Sequence, residues 1–171
     1  MDYNKESVQS QYGYLYYEIT GGEVMVIDVD NSILKPSAEI PAEIEGYPVT
    51  AIGLEAFEGT TIKSIKIPDS VKQIDDYAFC YCVSLESVTI PRSVTSIGYG
   101  VFNNCTSLTS IMVPDSVKDI GNEAFEDCTS LTSIIIPNSV TSIGKYVFVG
   151  CTSLRSITIP SSVKSIGKDA F

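Results

Sequence analysis

Histidine and tryptophan are both missing from this chain of 171 residues. Without imidazole there is no histidine-based triad, no histidine metal site and no side chain that ordinarily exchanges protons near neutrality. Any catalysis would fall to carboxylates, Cys, Ser, Lys or Tyr. Basic residues are scarce as well, 11 Lys and Arg against 21 Asp and Glu, and the net charge of −10 repels phosphate backbones and anionic lipid. Nucleic acid is therefore excluded as a partner. The deficit is uneven: residues 1–58 carry a balance of −9, and the rest of the chain is close to neutral. No apolar run reaches the roughly 18 residues that a membrane span needs, so membrane insertion is not expected. The polar start "MDYNKES" lacks the charged-then-apolar layout of a signal peptide. As it stands the chain reads as soluble and unaddressed, and a mature secreted fragment with a replacement Met would read the same way.

What is present is repetition. Pro68, Pro91, Pro114, Pro137 and Pro160 recur every 23 residues, as do Phe79, Phe102, Phe125, Phe148 and Phe171, and Cys82, Cys105, Cys128 and Cys151. A strict period of roughly 20–50 residues marks a solenoid. Each unit reads C-x-S-L-x-S-I-x-I-P-x-S-V-x-x-I-G-x-x-x-F. An earlier stretch, Ile40 to Phe57, keeps the Ile-Pro, Val-x-x-Ile-Gly and Ala-Phe landmarks around an inserted "EGYP". This gives a division into residues 1–37, an N-terminal capping hairpin region, and 38–171, about six units of which the first is atypical and the last truncated.

Within a unit, Leu131, Ile134 and Ile136 are spaced L-x-x-I-x-I; the last two alternate as a strand does, and Pro137 ends it because proline has no N–H to donate. Val140 and Ile143 form a second extended segment. The Gly98, Gly121, Gly144 and Gly167 column is read as a left-handed backbone position. The Phe that follows plugs the interior. Residues 156–159 are expected to be the last strand, leaving the uncapped C-terminal coil open to end-to-end self-association. At the other end, "YGYLYYEITGGEVMVIDV" over residues 12–29 reads as a hairpin about Gly21-Gly22.

These units, with the "AEIEGYPVTAIGLEAF" entry, resemble the BspA, or Treponema pallidum, type of bacterial leucine-rich repeat family. The resemblance implies a leucine-rich repeat solenoid, mainly β with short helical or 3-10 turns. It further implies a right-handed curved superhelix with parallel sheets, the L-x-x-I-x-I strands on the concave face, and the N-terminal β-hairpin as cap. It also implies an extracellular or cell-surface location and a role in adhesion or protein binding.

The cysteines offer little chemistry. Cys80-Tyr81-Cys82 is a lone C-x-C with no second pair, and the four-residue column should be packed thiols whose parallel side chains suit disulfides poorly. "DVDN" at 28–31 lacks the Gly and distal Glu of a calcium loop and reads as a solvated turn. Repeated Ser columns supply no unique nucleophile. No catalytic residue, cofactor or metal is assigned, and the chain reads as a non-catalytic module presenting a concave β surface to a protein or glycan of a host, matrix or cell surface. The alternative is a passive spacer or an accessory domain of a larger surface protein or enzyme. Candidate contacts are the outward positions that vary while the interior does not: Lys63, Lys66, Glu86, Thr89, Arg92, Met112, Asp115, Ile135, Asn138, Arg155 and Thr158. Met112 and Ile135 should sit side by side as an exposed apolar centre within a polar rim.

Overall fold

A single coil of 23 residues cannot bury its own Leu, Ile and Phe, so each coil must be covered by the next. The computed structural model, which describes residues 6–10 and 13–171, is accordingly a β-solenoid of about six turns. Strands β1 (Glu6–Ser10), β2 (Gly13–Thr20) and β3 (Glu23–Val29) form an antiparallel meander at the N-terminal end. Gly21 and Gly22 turn β2 into β3 with positive φ values of 62° and 83°, as the hairpin reading requires; Tyr12 of that reading lies outside the described residues.

The first coil holds β4 (Ser37–Glu39), β5 (Glu43–Ile44) and β6 (Tyr47–Ile52). Its insertion is a tight antiparallel turn from β5 to β6 through Glu45 and Gly46, both left-handed. Strand β3 pairs in parallel with β6, so the hairpin continues one of the solenoid's sheets.

Later coils contribute one strand to each of two faces. The first face receives β7 (Ser64–Lys66), then β9 (Ser87–Thr89), β11 (Ser110–Met112) and β13 (Ser133–Ile135). The second receives β8 (Gln73–Ile74), β10 (Ser96–Ile97), β12 (Asp119–Ile120), β14 (Ser142–Ile143) and β15 (Ser165–Ile166). All of these pairings are parallel and join equivalent repeat positions; the ladder of the first face runs β4-β7-β9 and then β11-β13. Between the faces lies a column of six phenylalanines, Phe57 to Phe171, with neighbouring ring centroids 5.2 to 5.8 Å apart.

Three expectations are corrected. First, no helical or 3-10 segment occurs among the described residues. In the turn after β8 only alternate amides bond backwards: Ala78, Cys80 and Cys82 donate to the carbonyls of Asp75, Tyr77 and Phe79. The amides between them, Tyr77, Phe79 and Tyr81, donate instead to Tyr99, Val101 and Asn103 of the next coil. A 3-10 turn needs consecutive i to i+3 bonds, and here every second donor stitches coils together.

Second, the Gly98 to Gly167 column is not left-handed. In the turns after the second-face strands the left-handed positions are one column of Glu55, Tyr77, Gly100, Glu123, Tyr146 and Asp169, and a second of Gly59, Tyr81, Asn104, Asp127 and Gly150. Glycine is needed in the Gly98 to Gly167 column because coils touch there: a Cβ on Gly121 would lie 2.6 Å from the Gly98 carbonyl oxygen, and one on Gly144 would lie 2.5 Å from the Asn122 amide nitrogen.

Third, residues 156–159 form no strand, although β15 in the same coil pairs with β14. That coil has a neighbour on one side alone in this structure, and its Leu154, Ile157, Ile159 and Val163 are only partly buried. With less apolar burial to hold it, the segment does not reach ladder geometry.

Candidate functional site

Side chains alternate across a strand, so Ile111 and Ile134 face inward while Met112 and Ile135 face out. Parallel register places those two residues opposite each other, and they are the most exposed large apolar residues described, at 71% and 66%. Beyond each strand the chain passes through an Ile-Pro or Val-Pro step and turns, which sets Arg92, Asp115 and Asn138 at the edge of the face. Together with Asp69 and Thr89 these residues line a shallow groove of about 860 Å³, floored by the Pro91, Pro114 and Pro137 ladder.

The groove thus gathers Thr89, Arg92, Met112, Asp115, Ile135 and Asn138 of the sequence-derived set. The other members lie elsewhere. Lys63 pairs with Glu86 at 3.1 Å, and Lys66 pairs with Glu39 at 2.8 Å, so these charges neutralise one another along their columns. Arg155 and Thr158 are exposed on the coil that lacks its first-face strand. Asp69 and the proline floor were not among the candidates; the Ile-Pro landmark of every repeat was the available signal for that floor.

Electrostatically the rim differs from the end of the face that carries the Lys63–Glu86 and Lys66–Glu39 pairs. Asp69, Arg92 and Asp115 follow one another on successive coils, yet among the described residues none of them makes an ion pair. The rim therefore keeps a free alternation of negative, positive and negative charge beside an apolar centre.

A second, smaller cavity of about 320 Å³ lies where the hairpin meets the solenoid. Within it Glu23 accepts from Thr50 Oγ1 at 3.2 Å and pairs with Lys72 at 3.3 Å.

Nucleophile chemistry is muted. Each column thiol donates to the carbonyl of the Phe one coil earlier: Cys82 to Phe57 at 3.0 Å, Cys105 to Phe79 at 3.2 Å, Cys128 to Phe102 at 3.2 Å and Cys151 to Phe125 at 3.1 Å. Thr60 takes the place of cysteine in the first coil and contacts Cys82 Sγ. Burial pushes Cys82 and Cys151 up to about 11, and Cys80, beside Glu58, up to about 12. Cys105 and Cys128 are also raised by burial. All five are free thiols, and they stay protonated at neutral pH, without the thiolate that metal binding or attack would use. Among the described residues no group of three or more potential metal ligands comes together, and no helix is long and apolar enough to cross a membrane. Of "DVDN", Asp28 and Val29 end strand β3, and the turn lies beyond them, where Asp30 accepts from Ser32.

Residues 50–171 match the BspA type leucine rich repeat region, in 6 copies. Three similar solved structures show the same solenoid. A leucine rich cell surface protein from Faecalibacterium prausnitzii A2-165 is 29% identical with a TM-score of 0.78, over 95% of this chain and 39% of that one. The leucine rich repeat protein of T. pallidum is 27% identical with a TM-score of 0.74, over 95% of this chain and 86% of that one. A leucine-rich repeat protein from Bacteroides capillosus ATCC 29799 is 33% identical with a TM-score of 0.66, over 75% of this chain and 96% of that one. The chain thus spans well under half the length of the F. prausnitzii protein. No curated protein matches it.

Proposed function

The chain belongs to the BspA-type leucine-rich repeat family, and on that premise we propose that it is a non-catalytic protein-binding module of a bacterial surface or secreted protein. Its contact surface is the Met112–Ile135 groove. In this reading residues 1–37 cap the stack and 38–171 carry the binding face. The surface location is supported by the F. prausnitzii relative, described as a cell surface protein.

The observation that carries the reading is the pairing of an exposed apolar centre with rim charges left unneutralised. Such a centre within a polar edge is the layout of protein interfaces. A passive spacer would be served by a face that neutralises its own charges throughout, as Lys63–Glu86 and Lys66–Glu39 do nearer the N-terminus. A protein is favoured over a glycan because no aromatic side chain lines the groove on which a sugar ring could stack.

The test is to immobilise the chain, capture and identify a partner from cell-surface and matrix proteins, and measure its affinity for wild type and for Met112→Ser/Ile135→Ser. Both side chains are exposed, so the double variant should keep its circular dichroism and melting temperature while binding at least tenfold more weakly. Equal affinity with an intact fold would overturn the groove as the site.

A further inference from the structure

The direction in which the groove's features repeat constrains what can lie in it. Met112 and Ile135 belong to adjacent coils, and so do Asp69, Arg92 and Asp115. Both the apolar pair and the charge alternation therefore run along the solenoid axis, across the strands. A segment that follows the strands would meet one coil and a single rim charge. One that follows the axis meets all of them.

Spacing then separates the two regular conformations such a segment could take. Parallel strands are about 4.8 Å apart, so three coils present rim charges over roughly 9.6 Å. A β-strand laid along the axis presents same-face residues about 6.7 Å apart and overshoots three coils by nearly 4 Å. On an α-helix, residues i, i+4 and i+7 span about 10.5 Å at a rise of 1.5 Å per residue, a mismatch of about 1 Å. Side-chain reach absorbs the second discrepancy and not the first.

We infer that the groove receives an amphipathic α-helix of a partner protein, lying along the solenoid axis. The helix sets two apolar residues one turn apart over Met112 and Ile135. A basic, an acidic and a basic residue on successive turns face Asp69, Arg92 and Asp115. This rests on the groove being the binding surface. It adds the conformation, direction and charge order of the occupant. The rim is available for these contacts because its charges have no ion-pair partners within the described chain, whereas Lys63, Glu86, Lys66 and Glu39 are already paired.

The test uses synthetic peptides of about five turns, with the intact chain as receptor. Because the chain has no tryptophan, a Trp at the end of each peptide reports binding by its own fluorescence anisotropy. The first peptide carries Leu at i and i+4 with Lys, Glu and Lys on the adjoining stripe; the second inverts the charges to Glu, Lys and Glu; the third is the first with two central residues outside those stripes replaced by proline, which prevents a helix. The first should bind, and the second should bind at least tenfold more weakly. Arg92→Glu should weaken the first peptide, and replacing that peptide's central Glu by Lys should restore its affinity for the variant.

Equal binding of the first and second peptides, or binding by none of the three, overturns the inference. If the proline peptide binds as well as the first and loses affinity to Met112→Ser/Ile135→Ser, the helical occupant is wrong and the groove remains the site. If a captured natural partner is indifferent to that double variant, the groove itself is wrong.

Discussion

Glu126 shows how a single side chain in this fold can oppose stability. Its carboxyl is pushed above the ordinary glutamate value by burial, and further by Glu123 and Asp127, while Asn103 Nδ2 donates to it at 2.9 Å. A raised carboxyl pKa means that the folded state prefers the proton, so its stabilising contribution is present below the unfolded value and lost as pH rises through the folded one. Glu126→Gln should therefore melt higher than wild type at pH 7, and the difference should vanish below the ordinary glutamate range; a lower melting temperature at pH 7 would count against this account. Gly144 makes a second case. Where a left-handed backbone is required, Asn substitutes better than Ala. Here the requirement is closeness of the coils, so Gly144→Ala should cost roughly 1–3 kcal/mol by overpacking, and Gly144→Asn at least as much, in urea unfolding. A clear advantage for Asn would restore the left-handed reading. The sequence could not separate these causes, since both select glycine at a fixed repeat position. Nor could it reveal the actual left-handed columns, because Tyr77, Glu123 and Tyr146 are residue types that do not advertise that conformation.

Among the elements, the period of 23 residues makes the coil legible in the sequence itself. Ladder positions such as Ile111 opposite Ile134, the hairpin at Gly21-Gly22 and the phenylalanine column follow from spacing alone. The turns were not legible, because their amides alternate between their own coil and the next, an exchange that has no signature in residue type. Energetically the coils depend on one another through their shared interior. Phe125 stacks on Phe102 at 5.6 Å and on Phe148 at 5.8 Å, and is fully buried. Phe125→Ala should cost about 3–5 kcal/mol and raise amide exchange in the coils on both sides. Phe171, which is 59% exposed, should cost much less when truncated. Equal costs at the two positions would mean that the stack does not carry the stability assigned to it.

At the scale of the whole molecule the interior columns are uniform and the outward columns are not, and this contrast is what made part of the proposed binding face readable. Met112 and Ile135 could be placed side by side from the repeat alone. That Lys63 and Lys66 are neutralised by Glu86 and Glu39 could not, because charge order along a column does not say which neighbours come within ion-pair distance. The central claim is that this groove is the surface through which the solenoid meets its partner. Its most direct test uses the two described methionines. Met112 is 71% exposed in the groove, whereas Met25 is half-buried in the hairpin and its Sδ lies against Gly53. Hydroxyl-radical oxidation followed by mass spectrometry should find Met112 oxidised readily in the free chain and strongly protected in complex with the captured partner, with Met25 unchanged. An unaltered Met112 rate in a saturated complex would contradict the account.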